Sequence, residues 1–516
     1  MRTMLLFIAL LMPGLTSAQS NFTRLNPPGP HTVGLRVVEQ YDFSRGYRGA
    51  TDPDTGKPTQ GEERARPIQT MIWYPAQKRS GRKMSAGDYL RFGATGDAFG
   101  QTPVERARLE AAYLTERTFA LSPKRARDEL TATMTARRDA LAEPGKFPVV
   151  IYAPGYAGDG YENADLCEYL ASLGYVVIGS PSLGQRPGGM TIDLKGAEAQ
   201  TGDIEYLIGY AHTLPQADTG RVGVIGYSWG GMANIMAAAT DPRISALVAF
   251  DGSVRFFPGI VEQSRSVTPE RITAPLLYVA SAPREIENAP ADANRETSFL
   301  NKMKYADLYR VTMAPYEHAN FAVMLGQRFL ADERYGDYDK DELSVANAWV
   351  ETYVRRFLDA YLKGDRVGQA FLDTPASRKG APAHLFTEFS RRAQGAPPTR
   401  AAFAAELARQ GFDHASDVYK AFKKREPEFT LSDEDLNMWG YTLLRNGDTT
   451  AAVAILRLDA ELYVDDPNAW DSLGEAYAKN GQNDLAIDAY RKSLALNPKN
   501  DNATKQIAIL QARPHQ

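Results

Sequence analysis

The stretch Arg221-Val222-Gly223-Val224-Ile225-Gly226-Tyr227-Ser228-Trp229-Gly230-Gly231 decides how the chain folds. Its first residues form an apolar run of strand length. From Gly231 to Ala239 the residues are mostly small and apolar, as a buried helix requires. A strand that runs straight into a helix must turn sharply, and Gly226 and Gly230 leave room for that turn. Ser228 stands at its apex, where its hydroxyl is lifted above the sheet edge and can serve as a nucleophile.

Outward from this stretch, short apolar runs recur at Val149–Ala153, Tyr175–Gly179, Ala246–Phe250, Leu276–Ala280 and Leu308–Met313, with helix-length segments between them. Such alternation predicts a mostly parallel sheet covered by helices on both faces, an α/β architecture. Upstream, Val33–Glu39 and Ile68–Tyr74 are β-rich and flank a turn-forming segment, Asp52-Pro53-Asp54-Thr55-Gly56. Residues 84–145 change character. Thr102-Pro103-Val104-Glu105 and Ser122-Pro123 are helix starts, and Leu130, Met134 and Leu141 are expected on one helical stripe. This helical insertion either packs on the sheet or covers the site as a lid. The α/β domain is expected over 27–375, and Gly395-Ala396-Pro397-Pro398 places a linker at 376–399.

A serine hydroxyl attacks only when a base takes its proton. Of the six histidines, His31 and His212 precede Ser228, while His384, His414 and His515 fall in or beyond the linker. His318, just after the last core strand, is left as the base. For the acid that orients it, Asp251 ends the strand Ala246–Phe250 and is favoured; Glu285 and Glu287, after the next strand, are the alternatives. An oxyanion needs two backbone N–H donors. Trp229, the residue after the nucleophile, supplies one, and Tyr156 in Pro154-Gly155-Tyr156-Ala157-Gly158 supplies the other.

On these residues the portion from about 140 to 330 resembles the platelet-activating-factor acetylhydrolase and dienelactone hydrolase branch of the α/β-hydrolases. Ala249-Phe250-Asp251 looks like the acid segment of the acetylhydrolases, and His318-Ala319-Asn320-Phe321 is similar to their His-x-Asn-Phe segment. Pro154-Gly155-Tyr156 looks instead like the oxyanion loop of bacterial cutinases and polyester hydrolases. The resemblance implies an α/β-hydrolase fold and hydrolysis of a small-molecule carboxylic ester, with neither metal nor cofactor. Two rival readings stay open: a serine peptidase on the same triad, and a binding protein whose hydrolase part is a scaffold.

Past the linker the sequence repeats. Asn446-Gly447 and Asn480-Gly481 lie 34 residues apart, the tetratricopeptide period. Trp470, Leu473, Gly474, Tyr477, Ala486, Tyr490 and Pro498 fit that pattern, and Trp439, Gly440, Leu443 and Ala452 form a looser first copy. An all-α repeat domain is therefore expected over 400–512, with helices from Arg400 to Phe422 extending the stack and a surface for a protein partner. This tail resembles tetratricopeptide tails attached to bacterial secreted hydrolases.

At the other end, Arg2, the apolar run Met4–Met12 and Thr16-Ser17-Ala18 read as a signal peptide over 1–18, so a periplasmic or secreted protein is expected. No later stretch has the length and apolarity of a membrane helix, and no stable membrane insertion is expected. A formal net charge of −4 carries no footprint for nucleic acid. The single cysteine, Cys167, falls in a helical segment and reads as a buried structural thiol.

Overall fold

In the chain's computed structural model the described residues are 20, 22–47, 64–186, 189–281, 299–330 and 337–512. The expected signal peptide, Glu285 and Glu287 lie outside them. The chain divides into two compact units, Met1–Gln394 and Gly395–Gln516.

In the first unit the apolar runs pair with one another, because only sheet hydrogen bonding satisfies their backbone away from water. The strands are β1 (Thr32–Tyr47), β2 (Arg64–Ala76), β3 (Arg82–Ser85), β4 (Thr133–Arg138), β5 (Phe147–Ala153) and β6 (Val176–Gly179). They continue with β7 (Ala217–Tyr227), β8 (Ile244–Phe250), β9 (Leu276–Ala280), β10 (Leu308–Met313) and β11 (Phe386–Arg391). Among the described residues these form one sheet in the order β11-β10-β9-β8-β7-β5-β6-β2-β1-β4-β3. From β6 through β10 neighbours run parallel, while β2 pairs antiparallel with both β1 and β6.

Side chains along a strand alternate between faces, and both faces here are apolar. Val150 and Tyr152 of β5 join one core with Ile225, Val248 and Leu277. Val149 and Ile151 join the other with Val224, Leu247 and Leu276. Helices α1 (Ala86–Gly93), α2 (Pro103–Thr118), α3 (Pro123–Thr131), α4 (Ala164–Ser172), α5 (Leu194–Ala211) and α6 (Gly230–Thr240) fall between strands. Cys167 is buried in α4.

Three sequence expectations are corrected. Residues 84–145 hold α1–α3, but β3 and β4 bracket them and extend the sheet past β1, so the insertion is not purely helical. Thr102 and Ser122 cap α2 and α3 as expected, yet α3 stops at Thr131; Met134 lies in β4 and Leu141 is exposed. The stretch 376–399 is not simply a linker, because it contains β11, paired antiparallel with β10 as the edge of the sheet. Only six residues long and four of them polar, β11 gives little period to read, and its pairing with β10 spans distant sequence.

The second unit is helical: Arg400–Gln410, Ala415–Arg425, Asp433–Arg445, Thr449–Leu462, Pro467–Lys479, Asn483–Leu496 and Asp501–Gln511. Gly440 and Gly474 occupy equivalent places. A Cβ on Gly440 would sit 2.4 Å from Leu456 Cγ, and one on Gly474 2.8 Å from Tyr490 Cδ1, so each pair of helices meets where only glycine fits. Trp439 packs edge-on against Phe403 and Phe412, which joins the upstream helices to the repeat core.

Candidate active site

The strand-to-helix turn after β7 carries Ser228 in the left-handed region, at φ 51°. Its N–H donates to Phe250 O at 2.9 Å, and its carbonyl accepts from Ser253 N at 2.7 Å, which ties the turn to the end of β8. The flanking glycines are sterically required. A Cβ on Gly226 would lie 2.1 Å from Gly230 O, and one on Gly230 would lie 2.1 Å from Ala153 O. Close packing of β5, β7 and α6 thus dictates both glycines, and the strained serine between them is held by its neighbours.

Asp251, the first residue past β8, is also left-handed, at φ 44°, with its N–H donating to Val279 O at 2.7 Å. His318 opens a short turn of 3-10 helix after β10, which Glu317 and Asn320 cap reciprocally. Three strand ends therefore deliver three side chains to one edge of the sheet. His318 Nδ1 lies 2.6 Å from Asp251 Oδ2, and His318 Nε2 lies 2.8 Å from Ser228 Oγ. The Asp251 side chain is 0% exposed and that of His318 is 37% exposed, so the carboxyl is dry and the imidazole reachable.

Burial alone pushes the Asp251 carboxyl up. The hydrogen bond and charge of His318, with the hydroxyl and amide of Ser281, outweigh it and hold Asp251 below the usual carboxylate range. Ser281 Oγ donates to Asp251 Oδ2 at 2.9 Å, and the Arg255 guanidinium lies 3.5 Å from Oδ1. The imidazole sits between two rings, Tyr227 at 5.2 Å and Phe256 at 5.9 Å, and the Tyr227 hydroxyl donates to His318 O at 3.0 Å.

Tyr156 lies in the loop after β5. Ala153 of β5 pairs with Gly226 of β7, so this loop and the Ser228 turn leave adjacent strands side by side. The Tyr156 and Trp229 rings meet edge-on at 5.9 Å, and Trp229 in turn meets Phe257 at 6.3 Å. Tyr156 and Phe257 are exposed, whereas Trp229 is buried. Sequence reading missed Ser281, Arg255, Tyr227 and Phe256, whose roles depend on which strands become neighbours. It also missed Glu162, a fully buried carboxyl under the Tyr156 loop, pushed up to about 8 by burial against the hydrogen bonds of Tyr152 and the Gly155 amide. An acid opening a buried helical segment was its signal. Among the described residues no group of His, Cys, Asp and Glu is arranged to hold a metal, and no helix is long and apolar enough to cross a membrane.

Comparison with known proteins gives matches to parts of the chain. Residues 134–297 match the Dienelactone hydrolase family and residues 467–500 match a Tetratricopeptide repeat. A "Putative carboxymethylenebutenolidase" of Methylorubrum extorquens is 31% identical over 129 residues, 23% of this chain and 44% of its own. The "Bis(hydroxyethyl) terephthalate hydrolase" of Streptomyces coelicolor is 32% identical over 106 residues, 20% of this chain and 32% of its own. The chain thus spans less than half the length of either relative. A solved structure of a ferulic acid esterase from Streptomyces cinnamoneus aligns with a TM-score of 0.48 at 18% identity, covering 70% of this chain and 98% of the other. The chain carries a dienelactone hydrolase family domain and, C-terminal to it, a tetratricopeptide repeat.

Proposed function

We propose that the first unit hydrolyses small carboxylic esters through an acyl-enzyme on Ser228. The observation that carries this reading is the continuous hydrogen-bond chain from Asp251 through His318 to Ser228 Oγ. His318 Nε2 takes the hydroxyl proton as Oγ attacks the carbonyl carbon. The amides of Tyr156 and Trp229 receive the oxyanion. Asp251 stays ionised and stabilises the imidazolium, which then protonates the departing alkoxide. Water, deprotonated by the same imidazole, attacks the acyl carbon; the bond to Ser228 Oγ breaks, the imidazolium returns the proton to Oγ, and the acid leaves.

Tyr156, Trp229 and Phe257 make an aromatic wall beside the nucleophile, suited to a flat or apolar group on the ester. The Streptomyces coelicolor relative is named for such an aromatic ester. The signal-peptide pattern at 1–18 supports export from the cytoplasm, and the tetratricopeptide repeat supports a protein partner for the second unit.

The test is turnover of a short p-nitrophenyl ester together with covalent labelling by a fluorophosphonate. Purified wild type is expected to do both and Ser228→Ala neither. Wild type that does neither refutes the reading. Fractionation of expressing cells tests export: mature protein starting near Gln19 outside the cytoplasm is expected.

A further inference from the structure

The Tyr156 amide is useful only if its N–H points at the reacting carbonyl, and a glycine-rich loop does not guarantee that by itself. Two hydrogen bonds on either side of Gly155 fix it. Gly155 N–H donates to Glu162 Oε1 at 2.8 Å, and Gly155 O accepts from Gly158 N at 2.9 Å. In a planar trans peptide the C=O and the following N–H point in opposite directions. With its carbonyl turned inward to Gly158, the Gly155–Tyr156 peptide therefore sends the Tyr156 N–H outward.

The loop is wrapped around the carboxyl itself. A Cβ on Gly158 would lie 2.5 Å from Glu162 Oε2, and one on Gly155 would lie 3.6 Å from it. The same Oε1 accepts from Tyr152 OH at 2.8 Å, and Tyr152 OH accepts from Asn163 Nδ2 at 2.6 Å. On its other side this dipeptide holds the segment following His318. Glu162 O accepts from Met324 N at 3.0 Å, and Asn163 Oδ1 accepts from Val323 N at 3.2 Å.

We infer that Glu162 is a positioning residue: it aims the Tyr156 amide and ties the oxyanion loop to the segment that carries the base. This rests on the esterase reading above. A neutral acid or an amide can accept both hydrogen bonds at Oε1, so acceptor geometry rather than charge is what matters.

The experiment is steady-state hydrolysis of p-nitrophenyl acetate by full-length wild type, Glu162→Ala, Glu162→Leu and Glu162→Gln, each with circular dichroism. Loss of the acceptor in Ala or Leu is expected to lower kcat about 10²–10³-fold, as removal of one oxyanion donor does, with KM within about threefold. Glu162→Gln retains the acceptor and is expected to stay within about tenfold of wild type. Leu fills the space of the lost carboxyl should Ala not fold. A folded Ala or Leu variant with kcat within about threefold of wild type, or a folded Gln variant as impaired as Ala, overturns the inference. If wild type turns over the ester and these outcomes appear, the positioning role alone fails. A wild type that neither turns over nor labels overturns both.

Discussion

Asp251 reaches His318 Nδ1 at 2.6 Å from a backbone in the left-handed region, φ 44°. That conformation is costly for a residue with a side chain. It is held by the Asp251 N–H bond to Val279 O and by the bonds of the carboxyl to His318 and Ser281. The acid is thus set by β8, β9 and the turn after β10 together.

Asp251→Asn is expected to keep the fold and lower kcat by about 10⁴, because the amide favours the wrong imidazole tautomer. Ser281→Ala removes one hydroxyl donor from a carboxylate that keeps its bonds to His318 and the Ser281 amide, and is expected to cost about tenfold or less. Glu285→Gln and Glu287→Gln are expected within about tenfold of wild type. Kinetics on the four variants decide the assignment: a dead Glu285→Gln with an active Asp251→Asn moves the acid to Glu285.

Ser228→Ala and His318→Ala each break the chain that activates Oγ. Either is expected to lower kcat by about 10⁴ or more while the circular dichroism spectrum stays that of wild type. Near-wild-type turnover by Ser228→Ala would end the assignment of the nucleophile.

Ser228, His318, Asp251, Tyr156 and Trp229 all precede Gln394, and β11 ends at Arg391. A chain ending at Ala396 keeps the whole sheet. It is expected to fold and to hydrolyse a small soluble ester with kcat/KM within about tenfold of the full chain. A folded but inactive truncation would assign the repeat unit a part in building the site. A chain ending before Phe386 would lose the edge strand and is expected to be less stable.

Asp459 provides a pH dependence of stability. It lies 34 residues before Ser493, and both are buried. Ser493 Oγ donates to Pro467 O at 2.7 Å, whereas the Asp459 carboxyl faces a second carboxyl, that of Asp433, within hydrogen-bond reach. Burial first, then the charges of Asp433 and Asp466, push Asp459 up to about 8 from 3.8. The folded state therefore holds a proton that the unfolded state releases. This contribution to stability is whole below about pH 4, falls as pH rises, and is lost by about pH 8. Asp459→Ser is expected to raise the melting temperature of the repeat unit in the full chain at pH 8 and to flatten its decline from about pH 5 to 8. Calorimetry on both proteins checks this; an unchanged slope would mean that Asp459 does not take up the proton.

Much of the fold was legible because its signals are local. Strand-length apolar runs from Val149 to Met313 each became a strand, and the Thr102 and Ser122 caps opened α2 and α3. The edge strands β3 and β11 escaped because they are mostly polar and exist only by pairing with a neighbour, and β4, between β1 and β3, escaped because Met134 and Ala136 are too few to mark a period. Met134 fits a helical stripe because a single apolar residue suits either period, yet it lies in β4.

Ser228 can be singled out along the chain because a strand, two glycines and a helix stand in one unbroken stretch, and His318 by order and elimination. The repeat spacing is legible in the same way, since that period is written along the chain. The surroundings of Ser228 and His318 come from segments far apart in the chain. Asp251 and His318 are 67 residues apart, Ser228 and His318 are 90 apart, and Ser281 reaches Asp251 across 30. Glu162 beneath the Tyr156 loop, and its tie to the segment after His318, depend on tertiary packing as well. Local periodicity says which face of a strand or helix is buried. Which strand ends stand side by side is settled by burying both faces of one sheet at once, and that is a property of the whole unit.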